Sequence, residues 1–346
     1  MSVPKPVMVL LDPSDTRWAA FAATQSRAGI FHHPAWIKML ADCYGYRPFV
    51  VAVRDTDDRI CAGLPMMEVN SLLTGRRWVS LPFTDHCVPL SCDAESLNCL
   101  SVSLAHLSQD RKIPRIELRY EFPFQSAART CSHVLHTIPL SPDSDSVARR
   151  FHSTHRRNIK VAVNRGVRIE RGEKREHLEA FFRLHLRTRR KQGVPVQPWR
   201  FFDRLGLALI EQGLGFVLLA YKDGECLAAA VFLHWQHTLT YKFGASAENG
   251  LNLRPNNLLF WTAIRWGCEN GYTLFDMGRT DLTNSGLRAF KSGWGAEEIP
   301  LIYSVLSSTS SHPASGRLTK IMHHVIRRSP LWVCRLIGEL LYGHFG

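Results

Sequence analysis

The sequence has no CxxC pair, although it holds nine cysteines spread from Cys43 to Cys334. An odd, scattered set argues against a disulfide framework and suits reduced thiols in a cytosol. GxSxG, HExxH and GxxxxGK[ST] are also missing, which counts against a serine hydrolase, a zincin and a P-loop enzyme. His86-Cys87 and Cys92 lie near one another, but no further ligands follow at zinc-like spacing, so no metal site is expected. No stretch reaches the roughly 18 uninterrupted apolar residues that a membrane span requires. The opening MSVPKPVMVLLDPSD has one short apolar run and no small-residue cleavage site, so it reads as a first strand and not as a signal peptide. A cytoplasmic protein is the expectation, with peripheral contact to the inner face of the membrane left open.

Acid is in short supply. Lys and Arg number 43 against 30 Asp and Glu, a net charge of +13. That excess points to anionic partners: a nucleotide-bearing donor, tRNA or an acidic lipid surface. Between Asp145 and Glu170 there is no acid, but there are Arg149, Arg150, Arg156, Arg157, Lys160, Arg165 and Arg168. A second cluster, Arg187-Thr-Arg-Arg-Lys191, follows on the next expected helix. Two such runs so close together favour an anion-binding surface over two solvated helix faces. The rest of the composition, 45% hydrophobic and 21% charged over 346 residues, is that of a globular protein with room for two domains.

Ser141–Ser146 and Ser307–Gly316 are rich in turn formers, lack apolar periodicity and read as linkers. They divide the chain into 1–140, 147–306 and a basic tail, 317–346. The two larger parts resemble each other. An amphipathic helix from Pro34 to Tyr44 precedes a hairpin, Phe49–Asp55 and Ile60–Leu64. Another from Pro198 to Gln212 precedes a second hairpin, Phe216–Asp223 and Cys226–Val231. In the second part, Val147–Asn164 reads as one helix ending at Gly166, Val167–Glu170 as a strand and His177–Lys191 as a helix. Thr238–Gly244 is a strand, Asn256–Asn270 a helix opened by Pro255 and closed by Gly271, and Tyr272–Asp276 and Ile299–Val305 are strands. The fold class is α/β: helices flanking a mixed sheet, built twice.

One block is more specific. Gly271-Tyr-Thr-Leu-Phe-Asp-Met-Gly-Arg-Thr280 is followed by Asn284-Ser-Gly-Leu-Arg-Ala-Phe-Lys291 and Trp294-Gly-Ala-Glu297. With His155–Ile159, Thr188–Pro195, Tyr241–Ala245, Phe31–Trp36 and Ser80–Phe83, it resembles the FemAB family over roughly residues 20–305. Those proteins are tandem GNAT-like transferases that build peptidoglycan cross-bridges, with relatives near exopolysaccharide and exosortase loci. The resemblance implies two tandem GNAT-like (acyl-CoA N-acyltransferase-like) domains, the first degenerate and on the acceptor side. It implies acyl transfer from an activated donor, aminoacyl-tRNA in the best-known members, to an amine of an envelope or exopolysaccharide precursor. In those members an adjacent Phe-Lys pair lies at the reacting carbonyl; Phe290-Lys291 match it, which gives Lys291 the role of stabilising the oxyanion.

The chemistry agrees with that assignment. Attack on an ester or thioester carbonyl puts negative charge on oxygen, and a fixed ammonium favours that state over the ground state. Asp276 can orient an amine or accept its proton, or can cap the following loop. Arg156, Arg157, Arg189, Arg190 and Arg279 are candidates for binding phosphates, against the plainer reading of solvated surface. Tyr241 and Lys242 lie on the strand where GNAT-like folds hold the donor, and Trp36 and Lys38 resemble the region where family members bind the acceptor.

The donor stays open among acyl-CoA, acyl carrier protein and aminoacyl-tRNA, with no tightly bound cofactor. Acetyl-CoA enzymes carry a Gly-rich turn whose backbone amides hold the pyrophosphate. Here ASAENGLNLRPNN, residues 245–257, has only Gly250, and Pro255 removes an N–H. Against a tRNA donor, the chain has no inserted coiled-coil arm of the kind some cross-bridge enzymes carry. An N-acyltransferase acting on a sugar or lipid, and a catalytically silent basic binding protein, are the alternatives. In the tail, Leu318, Ile321, Met322, Val325 and Ile326 recur at helical spacing, as do Trp332, Val333, Leu336, Ile337, Leu340 and Leu341 after Pro330. Such a basic amphipathic pair suits either an anionic bilayer or the protein's own core.

Overall fold

The computed structural model describes residues 7–71, 73–122, 127–307 and 323–344. Two units emerge: the described residues up to 133 with 300–307 and 343–344, and residues 134–299 with 323–342.

The first unit begins with strand β1 (Val7–Leu11) and helices α1 (Thr16–Thr24) and α2 (Pro34–Tyr44). The hairpin β2 (Arg47–Arg54) and β3 (Ile60–Ser71) follows, then β4 (Gly75–Val79), β5 (Leu90–Ser91), α3 (Ala94–Asp110) and β6 (Arg115–Leu118). Pairing runs β1-β2-β3-β4-β6, with β5 on β3. The β4–β6 pair is parallel and needs a crossover, which α3 supplies. Local chemistry fixes α2: His33 Nδ1 accepts the Ala35 N–H at 3.1 Å, Pro34 fills the first position, and Gly45 (φ 71°) ends the helix.

The second unit takes residues 134–139 of β7 (Ala128–Pro139), then α4 (Ser144–Arg149), α5 (Ser153–Asn164), β8 (Arg168–Gly172), α6 (Arg175–Gln192) and α7 (Trp199–Leu205). After them come β9 (Gly215–Lys222), β10 (Glu225–Trp235), β11 (Thr238–Ser246), α8 (Pro255–Glu269), β12 (Leu274–Asp281) and α9 (Ser285–Ser292). The strands lie in the order β7-β12-β11-β10-β9-β8. The β9–β10 turn sets Lys222 opposite Glu225 through Asp223 and Gly224, both at positive φ, the conformation that tight hairpins prefer. Strand β10 is buried continuously from Leu227 to Leu233, so both its faces are covered; α6 and α8 are among the helices packed against it. From residue 300 onward β13 (Glu297–Ser307) belongs to the first unit, where Ser304 pairs with Leu118. Helix α10 (Leu331–Leu341) belongs to the second. Among the described residues no helix is long and apolar enough to cross a membrane.

Both helix–hairpin orders form, although the second helix is α-helical only from Trp199 to Leu205 and continues as a π turn over Gly206–Ile210. Other expectations need correction. Val147–Asn164 is not one helix: the chain breaks between α4 and α5 so that the Phe151 ring can bury edge-on against Trp294, 4.9 Å between centroids. The His152 N–H leaves the helical ladder for the Gly293 carbonyl at 2.8 Å, and its ring caps α5. Ser141–Ser146 is in part a helix start, because Asp143 accepts the Asp145 N–H and caps α4. The strand that begins near Tyr272 does not stop at Asp276 but runs on to Asp281, and α9, unforeseen, follows it. Leu318, Ile321, Met322 and the segment 308–316 lie outside the described residues.

A buried imidazole, His185, and a half-buried one, His234, make the second unit acid-sensitive. His185 stacks on Phe181 at 5.1 Å and pairs through Nε2 with Gln197 Oε1; burial pushes its pKa down to about 3. Burial, helped by the charge of Arg171, lowers His234 to about 4. Both are neutral when folded and take up protons near 6.5 when unfolded. Stability contributed by these groups is therefore full above pH 6.5 and is lost as pH falls towards 4, for His185 by up to about 1.4 kcal/mol per pH unit. Urea unfolding between pH 7.5 and 4.5 should show this loss, with a shallower slope for His185→Leu. An equal slope in both proteins would exclude the assignment.

Candidate active site

The parallel strands β11 and β12 stay together for only three residue pairs, Thr238–Thr240 against Leu274–Asp276, and then part. Each strand has its own reason to turn. In β11, Tyr241 faces Phe232 and Phe243 faces Val231, so Lys242 is an extra residue and forms a bulge. In β12, Asp276 folds back: its Oδ1 accepts the Gly278 N–H at 2.7 Å, and Gly278 takes φ 70°, where a side chain would be strained.

The opening is a cleft of about 870 Å³. One wall is Tyr241, Gly244 and Ser246 of β11, with Asn256 and Phe260 of α8; the other is Leu287, Phe290 and Lys291 of α9; Arg187, Thr188 and Lys191 of α6 stand at its mouth. Tyr241 packs on Phe260 at 4.8 Å and passes its hydroxyl over Gly244, where a Cβ would lie 1.9 Å from the oxygen. Burial holds that phenol at about 12, so it stays protonated. Thr188 and Ser246 exchange two hydrogen bonds, 3.3 and 3.4 Å, which lock α6 to the wall.

Lys291 lines this cleft and is only 3% exposed. Its ammonium donates to the carbonyls of Gly278 at 2.8 Å and Arg279 at 3.2 Å. It also sits in the last turn of α9, where the helix dipole favours a cation. Burial, and after it the charge of Lys291, holds the His136 imidazole below its ordinary pKa. His136 Nε2 is 3.2 Å from Glu298 Oε2 but out of line for a hydrogen bond.

Phe290 presents its ring to the cleft and its carbonyl to His155, whose Nε2 lies 3.0 Å away. His155 Nδ1 is 2.6 Å from Asn257 Nδ2; the amide donates there, which assigns the proton to Nε2. Burial lowers the His155 pKa, in keeping with a neutral ring, and the ring stacks on Trp294 at 4.5 Å. His155 thus ties α5, α8 and α9 together behind the Phe-Lys pair.

Of the residues singled out in the sequence, Lys291, Phe290 and Tyr241 meet in the cleft. Asp276 does not close its strand; it is buried inside it and shapes the backbone that holds Lys291. Arg156 and Arg157 are exposed on α5, which turns His155 and Ala162 inward, and Arg156 donates to the Arg149 carbonyl. Neither lines the cleft, nor do Lys242 or the exposed side chain of Arg279. Arg189 is half-buried and donates to the Pro195 carbonyl at 3.1 Å. Arg190 lines a smaller pocket of about 360 Å³ with Arg187, Lys191, Glu248 and Arg327, adjoining the cleft through shared residues. In the first unit Trp36 is wholly buried, its indole donating to Thr84, so it has no surface to offer an acceptor; Lys38 is exposed beside a separate pocket. The sequence reading missed Arg187 and Lys191 as a pair. Their i, i+4 spacing puts both on one face of α6, with Arg190 beside them in the smaller pocket, whereas Arg189 turns to the Pro195 carbonyl.

Residues 149–292 match the Acetyltransferase (GNAT) domain family, a range that holds both walls of the cleft and ends just after Lys291. A lipid II:glycine glycyltransferase of Staphylococcus epidermidis is 22% identical over 263 residues, 55% of this chain and 63% of that protein. The chain thus spans less than two thirds of that relative's length. The crystal structure of FemX superposes with a TM-score of 0.66 at 15% identity, covering 91% of this chain and all of FemX. A tandem GNAT protein from the clavulanic acid biosynthesis pathway gives 0.54 at 12% identity, covering 89% of this chain and all of that one. These likenesses show a GNAT-like fold, with residues 149–292 similar to the acetyltransferase (GNAT) domain family and the chain similar to lipid II:glycine glycyltransferases and to FemX.

Proposed function

We propose that the chain is an aminoacyltransferase that moves an aminoacyl group from a phosphate-bearing donor, aminoacyl-tRNA, to an amine of a lipid-linked envelope precursor at the inner face of the membrane. The observation that carries this reading is a buried lysine, seated on two backbone carbonyls, at the wall of a cleft whose mouth is cationic. The amine nitrogen attacks the ester carbonyl carbon, and the carbonyl oxygen takes up the charge within reach of the Lys291 ammonium. The carbon–oxygen ester bond then breaks, and the departing ribose oxygen takes the proton that the nitrogen sheds.

Two features support a phosphate-bearing donor that is not held, as acyl-CoA is, through a pyrophosphate cradle of backbone amides. Arg187, Arg190, Lys191 and Arg327 gather beside the cleft with Glu248 as the one acid among the pocket's residues, and that acid pairs with Lys191 at 2.6 Å. At the α8 N-terminus, Pro255 takes the first position and Ser246 Oγ donates to Asn256 Oδ1, so the connection is not a cradle of backbone amides. Acyl-CoA and acyl carrier protein remain the alternative donors. Mass spectrometry of product formed from charged tRNA, acyl-CoA or acyl carrier protein with candidate amines decides among them; product from a thioester alone would refute the tRNA reading.

Three variants test the parts. Lys291→Met should lower kcat about 10²–10³-fold with little change in KM, since the cation acts on charge that develops only in the transition state. Unchanged kcat in folded protein would exclude the role. His155→Leu, which removes the tie to the Phe290 carbonyl, should cost roughly 10-fold to 100-fold in kcat, with partial recovery in His155→Gln because an amide can again donate. Equal loss in both variants would reduce His155 to a packing group. Reversing Arg187 and Lys191 to Glu should raise the donor KM steeply and spare the acceptor KM, with an effect that shrinks as salt rises. A salt-independent change would count against phosphate contact.

A further inference from the structure

Helix α10 is apolar on two sides, and among the described residues only one of them meets the protein. On the inner side, Gly338 lies so close to Val196 that a Cβ would sit 2.2 Å from its carbonyl oxygen. One turn earlier, Cys334 is buried and its Sγ donates to the Ile326 carbonyl at 3.4 Å. Glu339, the only acid among residues 323–344, accepts the Trp199 N–H at 3.2 Å. The helix is therefore anchored by one face, which answers part of the question its sequence raised.

The outer side carries Trp332, Leu336 and Leu340, 68%, 50% and 63% exposed. Spaced by four residues, they form a single stripe about 12 Å long. Val325 is exposed just before it, and Arg327, Arg328 and Arg335 stand exposed in the same segment. Large apolar side chains set together on a surface mark a place of contact. A stable protein interface buries on the order of 1,200–2,000 Å². Three side chains on one short helix are narrow for that, but they suit shallow insertion at a bilayer surface.

We infer that this stripe docks the protein on an anionic bilayer. Trp332, Leu336 and Leu340 enter the boundary between headgroups and acyl chains, and the arginines meet lipid phosphates. The charge pattern selects this occupant: cations flank the stripe, and the segment's one carboxylate is occupied by the protein. Arg327 also lines the basic pocket beside the cleft, so the docking segment and the cleft's mouth are continuous. Docking stands on the surface alone; its value for delivering a lipid-linked acceptor rests on the function proposed above.

Sedimentation of the whole chain with phosphatidylglycerol/phosphatidylcholine vesicles tests the inference, with pure phosphatidylcholine vesicles as the comparison. The wild type should pellet with the anionic vesicles. Trp332→Ser/Leu336→Ser/Leu340→Ser should lower the partition coefficient by roughly 10-fold or more. Its thermal midpoint should be unchanged, because the three side chains are exposed. Arg328→Gln/Arg335→Gln should lose the salt-sensitive part of the binding. The inference is overturned if the wild type stays in the supernatant or if the serine variant pellets equally. It is also overturned if sedimentation velocity shows a wild-type dimer that the serine variant abolishes, since a second copy would then be the occupant. Aminoacyl transfer to a water-soluble acceptor, measured on the serine variant, separates the two readings: it should persist where docking is lost.

Discussion

A lysine ammonium held by the carbonyls of Gly278 and Arg279 is the contact on which the second unit's site depends. Burying such a charge costs several kcal/mol unless its donors are satisfied. The carbonyls that satisfy it are presented only because β12 bends at Gly278, and β12 bends there because Asp276 captures the Gly278 N–H. The β11–β12 pairing ends at this bend and at the Lys242 bulge of β11. Asp276 thus shapes the backbone that seats the cation without lining the cleft itself. Lys291 in turn holds the end of α9 against the strand, so Phe290 is delivered to the cleft as a consequence of where its neighbour's charge must go.

Behind this front lies a second layer of fixation. His155 accepts from Asn257 and donates to Phe290, and its face lies on Trp294, which is fully buried. Chain connectivity is arranged to reach it. The break between α4 and α5 turns the His152 N–H to Gly293 and sets His155 one turn into α5. The interruption between the two helices is the device that brings a distant part of the chain to the back of the Phe-Lys pair. A cleft wall made from three elements and tied by neutral hydrogen bonds keeps its shape without adding charge next to the lysine.

Much of this architecture was legible in the residues. Hairpin turns, Pro34 and Pro255 at helix starts, Gly166 and Gly271 past helix ends, and the doubled helix–hairpin order are local signals, and they gave the elements nearly at their observed bounds. That Lys291, Phe290 and Tyr241 belong to one place in the fold was legible because motif blocks surround them, and all three line the cleft. The misreadings share a cause: they turn on which way a side chain faces. Arg156 and Arg157 belong to a basic run, but α5 commits its His155 side to the interior and leaves them outside. Arg189 lies in the same run as Arg187, Arg190 and Lys191, and the turn of α6 points it to the Pro195 carbonyl while the other three line the pocket beside the cleft. Trp36 looked like a binding residue and is core. Asp276 reads as a strand's last residue because the continuation, Met277-Gly-Arg-Thr-Asp281, lacks an apolar alternation; pairing with β7, not pattern, extends the strand.

Gly244 carries one more lesson. The Tyr241 hydroxyl lies in the volume that any β-carbon at 244 would claim, so the ring keeps its place along the wall only while that position is bare. The bore of the cleft is thus set by a missing methyl group and not by the bulk of the aromatic that lines it. For anyone reshaping this cleft, position 244 is the adjusting screw: adding a carbon there would displace a phenol that lines the wall, without touching Lys291 or its supports.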